Sequence, residues 1–400
     1  MPENSTPQVA GIRLASVRAG IKEWQRNDLL LVEIPPGSSV AATFTRNTFC
    51  AAPVTVAKEH LAAGEVRALL VNAGNANAAT GERGIADCRA CCEAVAEAMD
   101  IRAAQVLPFS TGVIGEHLPL QKLIGAIPAA ADALEVDGWE DAARTIMTTD
   151  TRAKIASRTV RFGDETVSVA GIAKGAGMIQ PNMATMLAYV ATDAAIRQPL
   201  LDELVQEAVG ASFNRISVDG DTSTNDACVL IATGSAGHHP ADARGEEYQQ
   251  LKQAIIDVHI ELAQAIVRDG EGATKFVTVQ VDGAASSEEA LRVAFEVGES
   301  PLVKTAMYAS DPNWGRLVMA VGNAGIEGLD PAQVDIYLDD VQVVEAGGRA
   351  AGYTEEAGQA VFGQPEFTVR VALGRGDCRE HIWTCDFSHE YVTINAEYRT

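Results

Sequence analysis

Positive charge is scarce in this sequence. Lys and Arg together number 31 against 54 Asp and Glu in 400 residues, a formal net charge of −23. Binding nucleic acid takes a basic face set against phosphate, and no dense Lys/Arg run exists, so a nucleic-acid partner is not expected. Long apolar runs are missing too. Without a stretch of about 18 apolar residues, nothing reads as a membrane span. MPENSTPQVAGIRLASVRAGI has no basic segment leading into an apolar run, so no secretory signal is expected. The seven histidines are scattered with no His-x-x-x-His pair, which argues against a zinc hydrolase. The seven cysteines are odd in number and irregular in spacing, which disfavours a disulfide framework and points to a reducing cytoplasm. Cys88, Cys91 and Cys92 invite a metal reading. They lie in the helical stretch DCRACCEAVAEAMD with no partner Cys or His pair nearby, so a buried helix face is the better reading.

What is present suits a folded core. Hydrophobic residues make up 47% and charged residues 21%, ordinary for a globular protein. The length suggests two domains, or one with a subdomain. LLLVEIP, VAATFT, PVTVA and RALLVNAG read as strands, and NAGNANAATGERG as a turn-rich loop. Helices are predicted over Asp87–Met99, Leu120–Ile127 with Pro128 ending or kinking it, and Trp139–Met147. TVRFG and TVSVAGIA flank a turn at Gly163 and Asp164. MLAYVATDA reads as a strand, and helices are predicted over 199–212, 246–267 and 286–295. KFVTVQVDG, VDIYLD, EFTVRVAL, EHIWTCDF and the terminal YVTINAEY read as strands. The order lacks the steady alternation of a doubly wound sheet. An α+β class follows, with sheets and helices in layers.

Four segments could carry chemistry. KGAGMIQPNMATML, 174–187, fails as a phosphate loop because its Lys precedes the glycines, and it fails as a dinucleotide fingerprint. Beyond a plain loop, it offers Thr185 after the small residue Ala184. A threonine freed at a new N-terminus carries its own base, since an α-amine has a pKa of about 7.7–8.0. FSTGVIG reads as a turn, or as an oxyanion site using the Thr111 hydroxyl and the Gly112 N–H. DGEGATK places Glu271 after a long helix, as a solvated acid at a helix end or as a site residue. DPNWGR, 311–316, reads as a helix cap or an anion site.

Together these segments resemble the ornithine acetyltransferase family, also called glutamate N-acetyltransferase, of arginine biosynthesis. The resemblance runs through FTRN, NAGNANAATG, STGVIGE, TTDT, KGAGMIQPNMATML, SFNRISVDGDTSTND, RDGEGATK, KTAMYASDPNWGR and the terminal NAEYRT. It implies self-cleavage between Ala184 and Thr185 into an α chain, 1–184, and a β chain, 185–400. It implies an Ntn-hydrolase-like layered core with a smaller C-terminal subdomain, and a cytoplasmic α2β2 heterotetramer. Thr185 would be the nucleophile and Thr111 with Gly112 the oxyanion pair. Thr151, Lys174, Thr185, Glu271, Asn395 and Thr400 would contact substrate. The reaction implied is acetyl transfer from N2-acetylornithine to glutamate through an acetyl-threonine, with no metal or cofactor. Acetyl-CoA stands as a candidate second donor. A self-cleaving aminopeptidase or amidase with the same N-terminal threonine is the alternative.

Overall fold

The computed structural model describes residues 8–180, 186–237 and 245–397. They form two compact units, one from 1–214 and 221–266, the other from 215–220 and 267–400.

Strands of the first unit are apolar on both faces. Successive strand side chains point to opposite faces. In Leu29–Glu33, Leu29 and Leu31 enter one buried cluster while Leu30 and Val32 enter another. Ala68–Asn75 repeats the pattern, with Ala68 and Leu70 on one side and Leu69 and Val71 on the other. Such a sheet must be covered twice. It has four strands in the order Arg13–Val17, Leu29–Glu33, Ala68–Asn75, Val106–Val113, the last pair parallel. Helices Gly81–Met99 and Leu120–Asp132 cover one face through Cys88, Cys92, Val95, Leu123 and Ile127.

The other face shares a core with a five-stranded sheet. Its order is Ser39–Phe44, Ala227–Ala232, Leu187–Thr192, Glu165–Lys174, Lys154–Phe162. Phe109 of the first sheet meets Tyr189 of the second edge to face, with centroids 5.3 Å apart. Gly171 points away from this core toward the helix Glu246–Arg268. A Cβ there would stand 3.2 Å from Leu262 Cδ1 and 2.8 Å from Val190 Cγ2, so glycine lets the helix lie close. The unit therefore stacks helix, sheet, sheet, helix, a layered α+β arrangement.

The second unit holds a seven-stranded sheet, ordered Gly348–Arg349, Val341–Glu345, Asp335–Leu338, Glu366–Ala372, Phe276–Ala284, Cys378–Cys385, Ile216–Ser217. Val277, Val279 and Val281 alternate inward with Val369, Val371 and Ile382. Helices Ser287–Glu299, Pro301–Tyr308 and Trp314–Asn323 lay Val293, Val297, Val303, Met307 and Leu317 over that face. This is the smaller C-terminal unit that the sequence led us to expect.

Several expectations are corrected. PVTVA is not a strand but part of helix Ala52–Ala62, with Pro53 in its first turn, where a missing N–H costs nothing. Pro128 does not end its helix, which continues to Asp132. YVTINAEY is not a terminal strand. Ser388 caps a helix, His389–Ala396, by accepting from the Tyr391 N–H at 3.3 Å. Its β-branched residues read as a strand, but the cap and the packing at Gly272 set the helix. All seven cysteines are free thiols, and Cys88, Cys91 and Cys92 are buried on their helix. No helix among the described residues is long and apolar enough to cross a membrane.

Candidate active site

Thr111 and Gly112 do not form a turn. They lie near the end of strand Val106–Val113, which pairs in parallel with Ala68–Asn75. The pairing becomes irregular there, and Asn75 opposes both Thr111 and Val113. Gly112 has φ +132°, and Gly74 opposite it has φ +111°. A Cβ on Gly112 would stand 2.3 Å from the Gly74 carbonyl carbon and 2.5 Å from the Asn75 nitrogen. Only glycine permits that approach.

Buried amides brace this strand end. Ser110 Oγ donates to Asn72 Oδ1 at 2.6 Å. Asn225 Nδ2 donates to the carbonyls of Ala76 at 2.6 Å and Ser110 at 2.9 Å. Such groups are costly to bury unpaired, so the network sets one backbone path.

Lys174 ends strand Glu165–Lys174 and reaches Thr111. Its Nζ donates to Thr111 Oγ1 at 3.2 Å and to Thr148 Oγ1 at 2.7 Å. Asp150 Oδ2 lies 3.9 Å away. Asp150 is a fully buried carboxylate that accepts from Lys154 Nζ at 2.6 Å, Gly175 N at 2.7 Å and Thr148 N at 3.0 Å. Burial pushes its pKa up, but the Lys174 and Lys154 ammonium groups and these hydrogen bonds outweigh burial and hold it well below the ordinary carboxylate range.

Asp226 shows the opposite balance. It precedes strand Ala227–Ala232, whose Ala227 pairs with Leu187 and donates to the Met186 carbonyl at 3.0 Å. The side chain is buried, and its Oδ2 has no hydrogen-bond partner among the described residues. Burial raises its pKa well above the carboxylate range. Ser223, the Lys174 charge and the Met186 N–H oppose that only in part.

In the second unit Glu271 is buried rather than solvated, which corrects the reading of it as a solvated helix end. Its Oε2 accepts from Asn395 Nδ2 at 2.8 Å, so the structure brings these two predicted residues together. Tyr391 on the same helix donates to Asp219 Oδ2 at 3.2 Å. Gly272, at φ +69°, lets that helix sit close, since a Cβ would stand 2.5 Å from the Tyr391 nitrogen. Asn313 caps helix Trp314–Asn323, and Arg316 Nη1 is engaged by the Leu302 carbonyl at 2.7 Å; this is the cap reading of DPNWGR. Thr151 is exposed beside Asp150. Ala184, Thr185 and Thr400 lie outside the described residues.

Sequence reasoning singled out Thr111, Gly112 and Lys174 but assigned nothing to Thr148, Asp150, Asn225 or Asp226. All four lie inside segments that carried the resemblance, TTDT and SFNRISVDGDTSTND. The available signal was a dense polar run opening directly into an apolar strand.

A threonine hydroxyl and a glycine N–H at a strand end, backed by a buried lysine, suit a layered α+β protein that handles a developing oxyanion, as acyl-transfer enzymes do. The chain belongs to the ArgJ family, which it matches over residues 13–400. It is 57% identical over 395 residues to the arginine biosynthesis bifunctional protein ArgJ of Methylococcus capsulatus, covering 98% of this chain and 96% of that one. With the protein of the same name from Pseudomonas syringae pv. tomato it shares 55% over 393 residues, covering 98% and 97%. Among solved structures, the arginine biosynthesis bifunctional protein ArgJ of Bacillus halodurans matches with a TM-score of 0.50 and 37% identity. That match covers 53% of this chain and 99% of the solved one.

Proposed function

We propose that this enzyme moves the acetyl group of N2-acetylornithine to glutamate through an acetyl-Thr185 intermediate, and that acetyl-CoA serves as a second donor to glutamate. Membership of the ArgJ family carries the reading. The curated relatives are named bifunctional proteins of arginine biosynthesis, which supports two acetylations in one enzyme and disfavours an aminopeptidase or amidase.

Cleavage between Ala184 and Thr185 comes first, giving chains 1–184 and 185–400. The solved relative supports this. Nearly all of that chain is matched by about half of this one, as a separate half-length chain would be. The freed Thr185 amine takes the hydroxyl proton as Oγ attacks the acetyl carbonyl. Thr111 and Gly112 then face the oxyanion. The Lys174–Thr111 bond carries this assignment, because Lys174 donates to the Thr111 oxygen and so leaves the Thr111 hydrogen free to donate. A cation on that oxygen also makes the hydroxyl a stronger donor. Ornithine leaves, and glutamate takes the acetyl group. Thr151, Lys174, Glu271, Asn395 and Thr400 are proposed substrate contacts. The reaction needs no metal. A cytoplasmic α2β2 assembly is proposed with it.

The test is direct. Purified protein should give two bands on a denaturing gel, the larger of them with an N-terminus reading Thr-Met-Leu-Ala. Incubated with N2-acetylornithine alone, the β chain should become one acetyl group heavier by mass spectrometry, and glutamate should discharge it. Thr185→Ala should stay whole and inactive. An uncut, fully active chain refutes the reading.

A further inference from the structure

Two acceptors compete for the Lys174 ammonium. A lysine head rides on a flexible four-carbon stem, so its place is set by what accepts from it. Thr111 Oγ1 takes one of its hydrogen bonds at 3.2 Å. The buried Asp150 carboxylate, with Oδ2 at 3.9 Å, is the stronger attractor. A buried cation gains more from a carboxylate than from a neutral hydroxyl. With these two acceptors alone, the ammonium would close on Asp150 and leave Thr111.

Thr148 changes that balance. Its Oγ1 accepts from Lys174 Nζ at 2.7 Å, closer than either competitor. Its backbone N–H donates to Asp150 Oδ2 at 3.0 Å, so the carboxylate oxygen near Lys174 is already engaged. The other oxygen accepts from Lys154 Nζ at 2.6 Å and from Gly175 N, the residue after Lys174, at 2.7 Å. On the opposite edge of the peptide, Arg26 Nη2 donates to the carbonyls of Met147 at 2.8 Å and Thr148 at 3.4 Å. A carboxylate and a guanidinium therefore hold the backbone at 147–148 without help from the Thr148 hydroxyl. Among the described residues, the hydroxyl bonds to Lys174 alone. All these groups lie in the first compact unit.

We propose that Thr148 is a positioning residue for acyl transfer: its hydroxyl oxygen holds the Lys174 ammonium on the Thr111 oxygen and off Asp150. The inference rests on the oxyanion role proposed above for Thr111. Thr148 acts through Lys174, which fixes the Thr111 oxygen and so aims its hydrogen outward. Without the Thr148 oxygen, the ammonium swings to Asp150. The Thr111 hydroxyl then loses its charged donor and turns among its rotamers, so it meets a developing oxyanion less well.

The test compares wild type, Thr148→Val, Thr148→Ser, Thr111→Val and the Thr111→Val/Thr148→Val double variant. Valine keeps the branched shape and loses the oxygen, and serine keeps the oxygen. The backbone bonds to Asp150 and Arg26 survive both changes. Rates with N2-acetylornithine and glutamate are counted per chain carrying a free Thr185. Thr148→Val should lose about 10–100-fold in kcat, the scale of a misplaced site group, and Thr148→Ser should recover most of it. In the double variant, Thr148→Val should add no further loss of kcat to Thr111→Val, because both changes break one line of contacts. A crystal structure of Thr148→Val should show the Lys174 ammonium on Asp150 and gone from Thr111. Losses that multiply in the double variant overturn the proposal. So does an ammonium that stays on Thr111 in Thr148→Val, or a Thr148→Val as fast as wild type when Thr111→Val is slow. If Thr111→Val itself keeps full kcat, the oxyanion reading fails instead. The ammonium position in Thr148→Val then still decides whether Thr148 holds Lys174.

Discussion

At the scale of single residues, the site divides donors that chemistry can alter from donors that the backbone holds. Thr111→Val removes a hydroxyl and keeps the volume. Loss of one oxyanion donor costs about 10²–10³-fold. Steady-state kinetics on N2-acetylornithine should show that loss in kcat with KM little changed, because the donor acts mainly in the transition state. An unchanged kcat removes Thr111 from the mechanism. Gly112→Ala should fail earlier. Its Cβ has no room against the Gly74 carbonyl, so the strand pair must part, and the melting temperature should fall along with activity. Asp150 governs stability through its two lysines. Asp150→Asn leaves the Lys154 ammonium buried without its anion, a loss of about 3–5 kcal/mol. The folded state holds the Asp150 pKa down, so its contribution is full above the unfolded value of ~3.9 and fades as pH falls toward the lower folded value. The gap in melting temperature between wild type and Asp150→Asn should therefore be wide near neutral pH and narrow below about pH 4. A gap that stays constant with pH would refute that account.

At the scale of elements, legibility followed periodicity. Leu29–Glu33 and Phe276–Ala284 were readable because their apolar residues are dense or alternate at the period of a strand. Ala52–Ala62 and His389–Ala396 were not, because Val, Thr and Ile in PVTVA and YVTINA favour strands locally. A proline in the first turn and a serine cap decided for helix. The oxyanion pair was legible as a motif, but not its strand-end setting, which comes by pairing from Gly74, far earlier in the chain. Asp150 and Asp226 were illegible as site residues because charged side chains in a polar run read as solvated, and only the packing buries them. The His389–Ala396 helix yields a prediction of its own. Gly272→Ala would press a Cβ onto the Tyr391 nitrogen and the Ser388 hydroxyl, shifting the helix and breaking the Asn395–Glu271 bond. KM for N2-acetylornithine should rise while self-cleavage proceeds normally. If both parameters match wild type, Glu271 and Asn395 are not acting as a substrate-binding pair.

At the scale of the molecule, the proposed cut falls inside one sheet rather than between the two units. Strands Leu187–Thr192 and Ala227–Ala232 would belong to the second product. They sit between Ser39–Phe44 on one side and Glu165–Lys174 on the other, both from the first product. The two products should therefore elute together on native gel filtration and separate only in denaturant. Early separation without denaturant would refute this. The same interleaving bears on how such an enzyme can be manufactured. A cell given two genes, one for each half, would have to bring together a pair of strands bare on both edges and the partners meant to cover them, with misassembly competing at every encounter. A single precursor makes that search local and independent of concentration. The uncut chain is in effect an assembly jig, discarded once the sheet has formed.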